Sequence, residues 1–188
     1  MKKTAILLTL AFLLAGCSEQ AGKNETPAEV HEEATEQKKA TPVEMQLLKA
    51  DEENGVTLEN EMYQQLDDFL NDNPNIGVAD DFSVHPLTLA NQSDAGQVMF
   101  FLGINRLDQP IKNITFDYSL GMDTAEGVKY ALKNERVELL EPFAGTIQPG
   151  HAIPFTVPIT PEGAERLQSI TEDNKVVELE NADFELVK

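Results

Sequence analysis

The stretch Ile114-Thr115-Phe116-Asp117-Tyr118-Ser119-Leu120 alternates between apolar and polar side chains at every step. Successive side chains of a β-strand point to opposite faces, so this period of two gathers the apolar residues on one face. Related alternation occurs in residues 97–105 and 153–159. These runs predict strands of an antiparallel fold in which one face of each sheet is buried.

Shorter runs with the same character surround these three. Further strands are predicted at residues 128–132, 137–140, 176–179 and 184–186. The last two form either a closing hairpin or one bulged strand. Turn signals at residues 108–110 and 148–150 separate the longer runs. Many short strands with frequent turns over residues 82–188 predict a mainly β fold, an antiparallel sandwich.

Two helices are expected beside the strands. A stripe with helical spacing is formed by Leu58, Met62, Leu66, Phe69 and Leu70. It predicts an N-terminal amphipathic helix that ends before Asn73-Pro74. Thr160 followed by proline predicts a short helix near residues 161–170.

The pattern of residues 97–105 predicts where the N-terminal helix packs. Met99 and Phe101 are apolar on the face of residues 97–105 that should point away from the sandwich core. We expect the N-terminal helix to cover them, which would join helix and sandwich in one folding unit.

The N-terminus carries the pattern of an export signal. Lys2 and Lys3 precede an apolar run of eleven residues, Ala5–Ala15, interrupted only by Thr9. A membrane-spanning helix needs about 20 apolar residues, so this run matches a signal-peptide core instead. It ends in Leu14-Ala15-Gly16-Cys17, which resembles the bacterial lipobox. The resemblance implies cleavage after Gly16 and lipidation of Cys17. It therefore implies a protein anchored to the cell membrane by lipid, on the extracytoplasmic face.

The cysteine count and composition define the domain organisation. Cys17 is the only cysteine, so no intramolecular disulfide can form and the fold must be stable by packing. Residues 18–42 are polar, acidic and poor in large apolar side chains, which predicts a disordered tether. We therefore expect a signal peptide (1–16), the lipidated cysteine with its tether (17–42), a helical lead-in (43–81) and the β-sandwich (82–188). The low-complexity acidic tether favours a Gram-positive source.

Charge excludes one class of partner. The formal net charge is −19, and loss of Lys2 and Lys3 with the signal makes it more negative by two. Such a surface is repelled by phosphate backbones, so nucleic acid is not an expected partner.

Two short stretches resemble a known group of modules. Residues 105–114 combine an asparagine, a short polar stretch and an apolar strand, and residues 147–155 place proline-glycine before an alternating strand. Both are similar to elements of the immunoglobulin-like modules on Firmicute lipoproteins. The resemblance implies an immunoglobulin-like sandwich with a non-catalytic binding or accessory role, and it transfers no site residues.

Residues that support catalysis or metal binding are scattered. None of His31, His85 and His151 has a second His or Cys at zinc-ligand spacing. Oxygen ligands concentrate at Asp67, Asp68 and residues 71–73, but without the loop pattern of a calcium site. There is no Gly-x-Ser-x-Gly turn, and Cys17 is assigned to lipidation. We expect no enzyme, no cofactor and no metal.

The leading functional hypothesis is a non-catalytic envelope lipoprotein whose sandwich binds another envelope protein or a wall component. A protein is favoured, because an acidic surface repels anionic wall polymers. The alternatives are a small-ligand or cation-binding lipoprotein that assists a transporter, and an envelope hydrolase.

Overall fold

The computed structural model describes residues 41–92 and 96–188. Its elements in chain order are β1 (Glu44–Met45), α1 (Lys49–Glu53), α2 (Glu61–Asp72), β2 (Phe82–Gln92), β3 (Gly96–Asn105), β4 (Ile111–Met122), β5 (Lys129–Leu139), α3 (Glu141–Ala144), β6 (His151–Pro158), α4 (Pro161–Leu167) and β7 (Lys175–Leu186). The lipidation and cleavage residues Leu14, Ala15, Gly16 and Cys17, as well as His31, lie outside the described residues.

Two sheets form the body of the molecule. One has the strand order β1-β6-β3-β2, and the other has the order β5-β4-β7. All pairings are antiparallel except that between β1 and β6. A shared apolar core lies between them, so the fold is a mainly β sandwich.

Aromatic rings dominate the core between the sheets. Phe101 stacks on Phe155 with ring centroids 5.2 Å apart, and Tyr118 meets the edge of Phe101 at 5.1 Å. Phe116 packs edge-on against Phe155 at 6.1 Å. These rings come from both sheets, which shows that the alternating residues of β3, β4 and β6 meet face to face.

A second apolar cluster lies on the other face of the four-stranded sheet. Tyr63, Leu66 and Leu70 of α2 are buried there with Leu102 and Ile104 of β3. Asn60 caps the helix by accepting a hydrogen bond from the backbone N–H of Met62. The Tyr63 hydroxyl donates to Asp51 at 2.6 Å and accepts from the N–H of Leu48, which ties α2 to α1.

The prediction that this helix covers Met99 and Phe101 was wrong. Met99 and Phe101 face the core between the sheets, and α2 covers Leu102 and Ile104 instead. The alternation shows only which residues share a face of β3. Because both faces are apolar, the sequence did not distinguish the face toward the second sheet from the face toward the helix.

The prediction of two separate strands within residues 128–140 was also wrong. The predicted strands at residues 128–132 and 137–140 are one strand, Lys129–Leu139. Asn134 has a positive φ of 52°, and its backbone N–H donates to the Ser119 hydroxyl at 2.9 Å. This local irregularity breaks the period of two without ending the strand.

The C-terminal elements follow the sequence closely. Thr160 accepts a hydrogen bond from the N–H of Gly163 and caps α4, which ends at Leu167 rather than at residue 170. Gly163 lies so near the carbonyl of Ala131 that a Cβ atom there would stand 2.4 Å from it. The last strand, β7, is a single bulged strand, which was one of the two predicted alternatives.

Candidate functional site

The most irregular part of the four-stranded sheet is its edge strand, β2. Pro86 lies opposite Phe101 and Leu89 lies opposite Met99, so Leu87 and Thr88 together face the single residue Phe100. Two residues against one define a β-bulge, a feature common at sheet edges and beside functional sites. Proline fits there, because its missing N–H costs nothing on an edge strand.

An apolar groove, the outer groove, lies between α2 and the bulge. It has a volume of about 460 Å³. Helix α2 contributes Met62, Leu66 and Phe69, and Phe100 of β3 forms part of the floor. The groove thus lies on the face of the sheet that the helix covers, at the point where the sheet ends.

A second groove, the inner groove, lies on the opposite face of β2. Its volume is about 400 Å³. Leu89, Met99 and Leu120 line it from the two sheets, and Leu167 and Ile170 line it from α4 and the residues that follow. These are side chains of the core between the sheets, so the inner groove is an opening into the sandwich.

The two grooves meet at the bulge. Both are lined by the four consecutive residues His85, Pro86, Leu87 and Thr88. Leu87 packs against the helix-side cluster and Leu89 against the core between the sheets. A short piece of one edge strand therefore separates two apolar depressions.

His85 is the titratable side chain at this junction. Its ring lies 5.6 Å from that of Phe69. Burial lowers the pKa of His85, the nearby Lys175 ammonium lowers it further, and Glu172 opposes the shift. Lys175 is itself paired with the Glu172 carboxylate at 2.8 Å. The site thus favours a neutral imidazole near neutral pH.

An acidic row, the acidic rim, runs along one side of α2. Glu61, Gln65, Asp68 and Asp72 recur at spacings of four, three and four residues, so they share one side of the helix, and all are exposed. Gln65 also lines the outer groove, and its side chain donates to Glu61 at 3.3 Å. None of the three carboxylates forms an ion pair with another residue in the described ranges.

The described histidines and the cluster of oxygen ligands at residues 67–73 lie in separate parts of the structure. His151 begins β6, with its Nδ1 2.9 Å from the carbonyl of Pro149, and it is not part of the His85 site. Asn71 donates to Asp67, and Asn73 caps the end of α2 by donating to the carbonyl of Phe69. Within residues 41–92 and 96–188, no three His, Cys, Asp or Glu side chains converge as metal ligands do.

Sequence reasoning missed the bulge as a site. Two signals pointed to it: the alternation of apolar and polar residues changes phase after Pro86, and residues 82–92 contain no Asp, Glu, Lys or Arg in a chain of net charge −19. Their meaning depends on α2 and α4, which provide the other walls of the grooves.

In the described parts of the chain, no helix has both the length and the apolar character needed to cross a membrane. Comparisons with protein-family models, with curated proteins and with solved structures found no match.

Proposed function

We propose that this chain is a lipoprotein, anchored through Cys17 on the outside of the cell membrane, whose sandwich is a non-catalytic binding module for another envelope protein. The observation that carries the binding role is the pair of apolar grooves that meet at the bulge of β2. Exposed apolar depressions on a highly charged protein are typical of interaction sites. The anchoring role rests on Leu14-Ala15-Gly16-Cys17.

The finer fold assignment belongs to the same proposal. We propose that the sandwich is of the immunoglobulin-like type, with α2 as an N-terminal addition that covers one sheet. Its support is the resemblance of residues 105–114 and 147–155. The Asn105 side chain donates to the carbonyls of Gln109 and Ile147 and accepts from the N–H of Leu107, so it has a structural role in that first stretch.

The first described residues lie at one end of the sandwich, away from the bulge of β2. Arg106 donates to the carbonyls of Thr41, Pro74 and Ile76 and so holds the first described residues at one end of the sandwich. Strand β2 starts at that end, because the backbone N–H of Arg106 donates to Asp81. The bulge lies five to six residues further on, about 18 Å away. Thr41 is therefore attached well away from the grooves.

Photo-crosslinking in cells tests this function. A photoreactive amino acid in place of Thr88 should give an adduct with one other protein. The same substitution at Ala182, an exposed residue of β7, should give none. Cys17→Ala in the Thr88-labelled chain should release the protein from the membrane and abolish the adduct. Equal adducts from both positions, or membrane retention of the Cys17→Ala chain, would contradict the proposal.

A second candidate is a small-ligand lipoprotein that assists a transporter. The observation that favours it is the volume of the outer groove, about 460 Å³, which is in the range of small-molecule sites. Native mass spectrometry distinguishes the two functions. A small molecule retained by the wild type and lost in Thr88→Arg would favour this second candidate.

A further inference from the structure

We propose that the occupant of the two grooves is an extended segment of the partner protein, which lies along β2 and presents two neighbouring apolar side chains between basic residues. This inference rests on the proposed binding function and specifies the chemistry of the partner. It follows from three features of the described residues: the free edge of β2, the position of one groove on each of its faces, and the distribution of charge.

The first feature is the free edge. Among the described residues, strand β2 pairs only with β3, so the backbone groups on its other side are not used within the described sheet. Such an edge accepts an added strand through main-chain hydrogen bonds. Pro86 has no N–H to donate, and the bulge at Leu87 and Thr88 interrupts regular pairing. An added segment would therefore form its hydrogen bonds on either side of the bulge.

The second feature is the position of the grooves. Side chains of a strand alternate between the two faces of its sheet, so two neighbouring residues of an added strand point to opposite faces. At the bulge, the outer groove lies on one face and the inner groove on the other. Two consecutive apolar side chains would thus enter one groove each. A compact small molecule in one groove would leave the other empty, because β2 separates them.

The third feature is charge complementarity. Strand β2 carries no Asp, Glu, Lys or Arg, whereas the chain has a formal net charge of −19 and the acidic rim of α2 carries Glu61, Asp68 and Asp72. An apolar segment flanked by Lys or Arg matches both properties, since its basic ends would meet these carboxylates. A second copy of this chain is a poorer match, because it would bring the same acidic rim toward itself.

Synthetic peptides test this chemistry on the full chain held in phosphatidylcholine vesicles. The probe is a fluorescent decapeptide with Val-Ile at its centre, Thr on both sides and two Lys at each end. One control peptide replaces every Lys by Glu, and another replaces Val-Ile by Ser-Ser. Binding is the fraction of peptide that sediments with the vesicles, corrected for empty vesicles. We expect the probe to bind at least about tenfold more tightly than either control peptide.

A pair of matched variants locates the binding. Thr88→Arg places a bulky cation where the two grooves meet, and Ala182→Arg adds the same charge at an exposed position of β7. We expect Thr88→Arg to weaken probe binding by at least about tenfold and Ala182→Arg by less than about twofold. Both residues are exposed, so circular dichroism should show that both variants fold.

The outcomes separate this inference from the proposed function. Equal binding of the Lys and Glu peptides, or equal losses in the two variants, would overturn the inference. If the photo-crosslink from position 88 to another protein persists in that case, the binding function stands and only the partner chemistry is wrong. A dimer of the chain in sedimentation velocity that Thr88→Arg dissociates would also overturn it, because the occupant would be a second copy.

Discussion

Two of the long edge strands of the sandwich, β2 and β7, each contain a bulge of two residues against one but have opposite side-chain chemistry. In β2, Leu87 and Thr88 face the single residue Phe100. In β7, Asn181 and Ala182 face the single residue Phe116. The bulge of β2 lies between two apolar grooves, whereas Asn181 donates to the Asp117 carboxylate at 2.7 Å on an exposed polar surface.

Charge accounts for the difference between these edges. Strand β7 carries four acidic residues, Glu178, Glu180, Asp183 and Glu185, and β2 carries none. Charged side chains on an edge strand prevent it from pairing with other chains. The edge of β7 is thus protected by repulsion, while that of β2 is restricted only by its bulge and Pro86. Of these two edges, β2 is therefore the one that a partner can use.

The largest expected effect compares one phenylalanine from each edge. Phe82 of β2 is 6% exposed and packs 5.9 Å from the ring of Phe116, whereas Phe184 of β7 is only half-buried. Phe82→Ala should lower the free energy of unfolding by about 3–5 kcal/mol, and Phe184→Ala by about 1–2 kcal/mol. Urea unfolding of both variants measures this difference. Equal losses would mean that the two edges are anchored equally well.

An intermediate effect is expected from removing each bulge. Deletion of Thr88 leaves one residue opposite Phe100, so β2 becomes a regular, uncharged edge and the protein should self-associate. Deletion of Ala182 leaves one residue opposite Phe116 and so removes the bulge of β7, but its acidic residues should keep the protein monomeric. Sedimentation velocity at micromolar concentration measures both. Thr88→Ala, which keeps the bulge, is the control and should stay monomeric.

Two results for the deletion variants would contradict this prediction. If both deletion variants associate equally, the charges on β7 do not protect its edge. If neither associates, the bulge is not what restricts β2.

The smallest expected effect is a pH dependence that arises at His85 of β2. Burial and Lys175 lower the pKa of His85, so the unfolded chain takes up a proton at a higher pH than the folded one. Neutral His85 therefore contributes stability that is fully present above its unfolded pKa of about 6.5 and is lost as the pH falls below that value.

Thermal melting of the wild type and of His85→Gln tests this sign. We expect the melting temperature of the wild type, relative to that of the variant, to be higher at about pH 7.5 than at about pH 5. Lys175→Gln should reduce this change, because Lys175 helps to lower the pKa of His85. A difference between wild type and His85→Gln that stays constant with pH would contradict the proposed contribution of His85.

The predicted strands succeeded where a single face is buried. In β4, Phe116 and Tyr118 are buried and Asp117 between them is not, so the alternation in the sequence corresponds directly to the structure. Thr160 and Pro161 likewise predicted the start of α4, since a capping hydroxyl and a proline act on their own first turn. Such local signals need no information about the rest of the chain.

The predictions failed where both faces of a strand are apolar or where a local irregularity interrupts a strand. Residues on both faces of β3 are apolar, and only the packing of α2 shows that Leu102 belongs to the helix side and Phe101 to the core. The irregularity at Asn134 made one strand resemble two. The bulge of β2 was missed for a similar reason, because it is defined by pairing with Phe100 and not by its own residues.

The sequence by itself determined the strand-rich class, the main strands other than β2, the acidic charge and the expectation of lipidation at Cys17. These are properties of short segments or of composition, so neighbouring residues suffice to specify them. Only the tertiary structure decided which face of β3 lies inside, which strands are edges, and where the apolar grooves lie. Each of these depends on residues far apart in the sequence, such as Phe69, Leu87 and Leu167, whose proximity arises only when the two sheets and the helices pack together.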